Sequence, residues 1–193
     1  MANKVKFGLK NVHYALATYN DSTGEYTYGT PKLIAGAVNL SLQGVGSESP
    51  FYADNLVYFK AFANQGYSGD LEMALVPDSF KIDCLGEHKT TEGIQAEYAD
   101  AKAKEFALLF EFTGDSRDRR SCLYNCICSR PDVASSTKTD TIAPITETLT
   151  ITASPRFGDE LVKASIENTE ATATIFDEWF EAVQVPTKIT AAP

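Results

Sequence analysis

Polar and apolar residues alternate with a period of two along most of this chain. That spacing commits it to half-buried β-strands, because successive strand side chains point to opposite faces. Asn11 to Thr18 opens the pattern, the cluster from Asn20 to Gly24 supplies turn chemistry, and Glu25 to Tyr28 follows as a hairpin partner. Val38, Leu40 and Leu42 then alternate with Asn39, Ser41 and Gln43, and Tyr67, Leu71, Met73 and Leu75 with Ser68, Asp70 and Glu72. Residues 105–113 and 121–129 read as a strand pair joined by a turn with Asp115, Arg117, Asp118, Arg119 and Arg120. Ile145, Leu149 and Ile151 alternate with Thr146, Thr148, Thr150 and Thr152, a strand whose second face is neutral and hydroxyl-bearing. A last strand is expected from Leu161 to Ile166.

Helical periodicity is rare. Pro77 to Leu85 reads as a short helix with Asp78 as its N-cap and Gly86 as its stop. Residues 171–183 form the one strong amphipathic pattern, with Ile175, Phe176, Trp179, Phe180 and Val183 at helical spacing. Between these elements, residues 44–50 are rich in Gly and Ser and lead into the aromatic stretch 51–59, a loop that must find something to pack on. Residues 87–93 read as an exposed loop, and residues 131–144 as a long polar connection. The fold class is therefore mainly β, a sandwich or barrel with one flanking amphipathic helix and long interaction loops. At 193 residues the chain buries roughly 70% of its unfolded surface without a metal or disulfide. Residues 1–185 are expected to be one domain and residues 186–193 a C-terminal tail.

Charge excludes several partners. Lys and Arg total 17 against 26 Asp and Glu, a formal net charge of -9, so general adhesion to nucleic acid or an anionic membrane is unfavourable. The two N-terminal lysines are followed by no apolar run of signal-peptide or membrane length, which places synthesis and folding in the cytoplasm.

No group of residues assembles a convincing active site. Cys122, Cys126 and Cys128 crowd into one expected strand, with Cys84 far away. Strand neighbours two apart lie about 6.6 Å apart at Cα with parallel Cβ vectors, a poor disulfide geometry, so all four are expected to be reduced. Zinc held by these thiols with His88 would need ligand pairs on tight turns; three thiols on one face of an apolar strand act as small hydrophobes instead. Neither His13 nor His88 carries a local signature of a Cys-His nucleophile pair. The arginine cluster is interleaved with Asp115 and Asp118 and lacks alternating aromatics, which favours a solvated turn or an ion-pairing patch at a subunit boundary over nucleic-acid binding. Asp70 and Glu72 share a strand face at acid-base spacing, yet no pocket signal accompanies them. Catalytic residues, metal and cofactor are all expected to be absent.

Several strings carry a specific likeness: residues 4–14 (KVKFGLKNVHY), 50–55 (PFYADN), 66–72 (GYSGDLE), 106–112 (FALLFEF), Tyr124-Asn125-Cys126, Ser129-Arg130-Pro131 and 146–153 (TETLTITA). Together they resemble the major tail proteins, the tail tube subunits, of long-tailed siphophages of Gram-positive bacteria, over nearly the whole chain. The resemblance implies hexameric rings stacked into a hollow virion tail tube, made in the host cytoplasm. Viral DNA passes through its lumen without specific binding, and tape measure, tail terminator and distal tail proteins are the implied partners. In that frame Asp70, Glu72, Asn39, Ser41, Gln43, Thr148 and Thr150 are the expected channel lining. Phe51, Tyr52, Asp54, Arg119 and Arg120 are the expected contacts between subunits, with residues 44–55 and 131–144 as the contacting loops. A monomeric β-sandwich adhesion or carbohydrate-binding module would share the acidic, aromatic-rich composition, and a hydrolase would need a perturbed titratable group in a cleft.

Overall fold

The alternating segments pair into one large antiparallel sheet in the computed structural model, which describes residues 7–114, 118–137 and 144–187. The strands of that sheet are β1 (Leu9–Asn20), β2 (Glu25–Tyr28), β3 (Lys32–Leu33) and β4 (Ala37–Val45). Between β4 and β7 (Gly66–Met73) lies a separate hairpin, β5 (Glu48–Ala53) with β6 (Leu56–Phe62). Helix α1 (Asp78–Leu85) follows, then the small ribbon β8 (His88–Lys89) with β9 (Gln95–Ala96). The chain continues through β10 (Phe106–Phe112), β11 (Arg120–Cys128), β12 (Glu147–Ala153) and β13 (Lys163–Ile166). The strand order is β2-β1-β10-β11-β12-β7-β4, with β3 added to β1 and β13 to β11.

β11 is where the sheet divides into two layers. Its first residues pair with β13, Cys122 opposite Ala164, while its last pair with β12, Cys126 opposite Ala153. The β1-β10-β11 layer thereby turns over the β12-β7-β4 layer, and Val12, Tyr14, Phe106, Leu108 and Leu123 from one meet Leu71, Met73, Leu149 and Ile151 from the other. α1 contributes Phe80, Cys84 and Leu85 to that core, and the Tyr14 and Phe106 rings pack edge-on against Phe80. Burying side chains of this size gives roughly 1.5–3 kcal/mol each, which makes this interface the main source of stability.

The reverse face of β1-β10-β11 is also buried, under the C-terminal segment. Ala15, Ala107, Leu109, Cys122 and Tyr124 lie beneath Trp179, with Phe180 and Val183 at the margin. β10 is therefore apolar on both faces, which its run Phe-Ala-Leu-Leu-Phe encodes directly.

Three local expectations are corrected by packing. The amphipathic pattern 171–183 is not one long helix: it forms a short α2 (Ala173–Asp177) and one 3-10 turn over Glu178–Phe180. Phe176 and Trp179 are buried as the pattern requires, whereas Ile175 is exposed. Lying across a sheet satisfies the aromatic anchors without further turns. Asp78 is the first helical residue of α1 and Pro77 occupies the cap position without a side-chain bond, while Gly86 does end the helix in the left-handed conformation. The three clustered cysteines do not share a face. Phe106 pairs with Cys126 but Leu108 with Leu123, so β11 carries one extra residue, which swaps the faces of the residues beyond it. Cys126 and Cys128 enter the main core and Cys122 the second cluster.

Candidate functional site

Two surfaces stand out, and the first is built by register. β7 pairs Glu72 with Asn39 of β4 and Thr148 of β12, Asp70 with Ser41 and Thr150, and Ser68 with Gln43 and Thr152. Three stretches far apart in sequence thus place nine polar side chains in three rows on one face of the β4-β7-β12 layer, opposite the buried Leu71, Leu149 and Ile151. Neither Lys nor Arg is among the nine. Cross-strand bonds order the surface: Thr150 Oγ1 donates to Asp70 Oδ1 at 2.8 Å, and Thr146 Oγ1 to Glu72 Oε1 at 2.6 Å. All seven residues expected from the sequence to line a channel, Asn39, Ser41, Gln43, Asp70, Glu72, Thr148 and Thr150, lie on this one face.

The second surface is the β5-β6 hairpin, where the sequence reads as a loop. Its ladder continues that of β4 and β7, since the Gln65 N–H donates to the Val45 carbonyl and Ala63 to Ser47. The two segments together are one long ribbon whose outer half leaves the body. Ala53 opposes Leu56 across Asp54 and Asn55, both in the left-handed conformation (φ 52 and 62), a two-residue turn suited to Asp and Asn. Phe51 pairs with Phe59 on one face of the arm, and Tyr52 with Val57 on the other. Phe51, Tyr52, Leu56, Tyr58, Phe59 and Phe62 are each 60–77% exposed. Six large apolar side chains on a 15-residue arm form a patch far beyond the scattered exposure normal for a monomer's surface.

The arginines separate. Arg119 borders a cavity of about 290 Å³ lined by Leu40, Leu42, Tyr67, Phe110 and Phe112. Arg120, expected at a subunit boundary, is committed to its own chain. Its Nε donates to the buried Glu111 carboxylate at 2.9 Å, its Nη1 to the Phe176 carbonyl, and its guanidinium lies 3.8 Å from the Phe176 ring centre. Lys10 and Asn11 complete the shell of Glu111 at 3.1 and 2.6 Å. Sequence reading missed this clasp, because nothing in the spacing of Glu111 and Arg120 reveals that both lie under the C-terminal segment. It also missed Arg156, which is buried against Tyr28 and paired with Asp159. Arg117 lies outside the described residues, as does 138–143 of the polar connection.

The shifted titratable groups among the described residues are set mainly by burial and by partners within the chain. Burial pushes the Cys128 thiol up to about 12 and raises Cys84, Cys122 and Cys126 as well, which keeps all four protonated and unreactive. Burial pushes Asp83 up too, but hydrogen bonds from Lys32 and Tyr14 outweigh it and hold the carboxyl below its ordinary value. Among the described residues no three His, Cys, Asp or Glu side chains are placed to hold a metal ion, and no helix is long and apolar enough to cross a membrane.

The described residues thus form a β-sandwich-like protein with one polar sheet face, one exposed apolar projecting arm and four buried thiols. The chain belongs to the phage tail tube protein family, whose pattern it matches over residues 2–191. That family is a structural component of the phage tail. No curated protein matches the chain.

Proposed function

We propose that this protein is the subunit of a hollow tail tube of a long-tailed siphophage of Gram-positive bacteria, closing as hexameric rings that stack into the conduit for the genome. The observation that carries the reading is the three-row polar face joined to family membership. A sheet whose outer surface holds Ser, Thr, Asn, Gln and two carboxylates but no cation suits the wall of a channel crossed by a polyanion. Each inward Lys or Arg would add a phosphate contact and slow passage.

Closure into a ring needs heterologous contacts between identical subunits, and the long edge of β4, which pairs with no further strand among the described residues, and the apolar arm suit them. Phe51, Tyr52 and Asp54 on the arm are contact residues in this reading, and residues 131–137 offer a further polar segment. Tape measure, tail terminator and distal tail proteins would meet the ends and lumen of such a tube.

Concentrating the purified chain and imaging it by negative-stain electron microscopy, alongside sedimentation, tests the proposal. Hollow six-fold rings or tubes are expected. A chain that stays monomeric at high concentration and also fails to join tubes seeded with tail fragments defeats it.

A further inference from the structure

We infer that the β5-β6 arm of one copy docks into the cavity beside β4 of a second copy, with Asp54 at its tip meeting Arg119 and Lys163 at the cavity rim. The inference rests on the tube reading above and specifies its contact.

Four observations converge. The cavity opens where the edge of β4 faces β10 and β11, so Leu40, Leu42, Phe110 and Phe112, which a closed sandwich would cover, line a space of about 290 Å³. That is at the lower limit of small-molecule sites, roughly 300–1,000 Å³, and suits one or two inserted side chains better than a cofactor. Its rim is cationic: Arg119 lines it, and Lys163 is held there by the Tyr67 hydroxyl at 3.0 Å and by the Tyr67 ring at 4.7 Å.

The arm is complementary. One face carries the cross-strand pairs Phe51–Phe59 and Ala53–Leu56, an apolar strip with a bulge at Tyr58 between them. Its charges are Glu48, Lys60 and Asp54; the first two pair with each other, which leaves Asp54 as the arm's net charge, at the tip. An apolar strip led by a carboxylate matches a cavity that offers Leu40, Leu42, Phe110 and Phe112 to the strip and Arg119 and Lys163 to the carboxylate.

The occupant must come from another copy. Tyr67 lines the cavity and directly follows Gly66, the base of the arm, so the chain's own arm starts beside its own cavity. Ten residues separate Gly66 from Leu56 at the turn, which carries the tip about 33 Å from that base. A subunit therefore presents the key and the lock without being able to join them itself, the geometry of a heterologous contact that propagates.

The test uses the full chain in two ways. With p-benzoylphenylalanine in place of the exposed Leu56, assembled particles are irradiated and the crosslinked peptides mapped. Links from residue 56 to peptides containing Leu40–Leu42 or Phe110–Phe112 of another chain are expected. Tubes that form with links only elsewhere, including arm to arm, overturn this docking and leave the tube reading standing. A wild-type chain that never self-associates overturns both.

The second way is charge complementation. Asp54→Lys alone and the double substitution Arg119→Glu with Lys163→Glu alone should each cut pelletable polymer at least tenfold, with circular dichroism unchanged. A one-to-one mixture should recover it, because each tip then faces a rim of opposite sign. A mixture as depressed as either variant alone overturns the inference.

Discussion

Thr150 and Asp70 face each other across the β7-β12 ladder, and the threonine hydroxyl donates to the carboxylate at 2.8 Å on the solvent side of the sheet. The bond holds an acidic side chain upright in a row with Ser41, and Glu72 stands similarly between Asn39 and Thr148. If this face lines the lumen, reversing its charge converts a neutral-to-acidic wall into a phosphate-binding one. Tubes carrying Asp70→Lys and Glu72→Lys should therefore retain double-stranded DNA at least about tenfold more than wild-type tubes at low salt, with retention falling as salt rises. Filter binding at two ionic strengths measures this. Equal retention by both tubes places the face elsewhere than the channel.

The same ladder depends on a glycine that touches no ligand. Gly66 adopts φ +104, and a Cβ there would lie 1.9 Å from the Ala153 carbonyl oxygen, closer than any side chain tolerates. Gly66→Ala must push β12 and β7 apart at the base of the arm. A loss of about 3 kcal/mol in denaturant unfolding is expected, from backbone strain plus a broken ladder bond. Gly44→Ala, whose Cβ would meet nothing within 4 Å, is the control and should change stability by less than about 0.5 kcal/mol. Similar losses at both positions would show that the cost does not come from the close approach to Ala153.

The strands were legible because each carries its own period. Leu71, Met73, Leu149 and Ile151 can be assigned inward from alternation alone, and the polar residues between them outward. What alternation cannot supply is registry between strands distant in sequence, so the meeting of Ser41, Asp70 and Thr150 in one row appears only in the fold. Alternation also fails at a bulge: the extra residue in β11 separates Cys122 from Cys126, which a simple count of two puts on one face. The arm escaped for a different reason. With both faces apolar and exposed it has no inside-outside contrast, so residues 48–62 show aromatic content without a readable period. Arg120 read as a surface charge because its partner Glu111 and its stacking partner Phe176 belong to other elements.

That clasp makes a testable claim about the C-terminal segment. Glu111 is nearly inaccessible, and its carboxylate gathers Lys10, Asn11 and Arg120, the last of which also lies over the Phe176 ring, 4.9 Å from that of Phe180. Removing the carboxylate leaves the partly buried Arg120 without its counter-charge, a change that costs about 3–5 kcal/mol when the partner is buried. Glu111→Ala should lower stability by up to that amount and loosen residues 173–184. The single tryptophan reports it locally: Trp179 is buried and its indole N–H has no partner among the described residues, so its emission should shift red in the variant before global unfolding. A variant with wild-type emission at every denaturant concentration below the main transition would show that the clasp does not hold the segment.

Alkaline pH should open the core from the thiols outward. Burial raises Cys128 from its ordinary 9.0 to about 12 and Tyr28 from 10.0 to about 12, and raises the other three thiols in the same direction. For each group the folded state binds a proton more tightly than the unfolded chain. Its contribution is therefore complete below the unfolded pKa and disappears as pH rises through the folded one. Stability is expected to be flat from neutral pH to about 8.5 and to fall steeply between about 9 and 12. At pH 8 the native protein should leave all four thiols unmodified by a disulfide reagent over hours, while denaturant releases four equivalents at once. Rapid modification of one thiol in the native state would mean that the layer covering it opens on that timescale, and Cys128, at the edge of β11 where β12 peels away, is the residue at which such opening would first register.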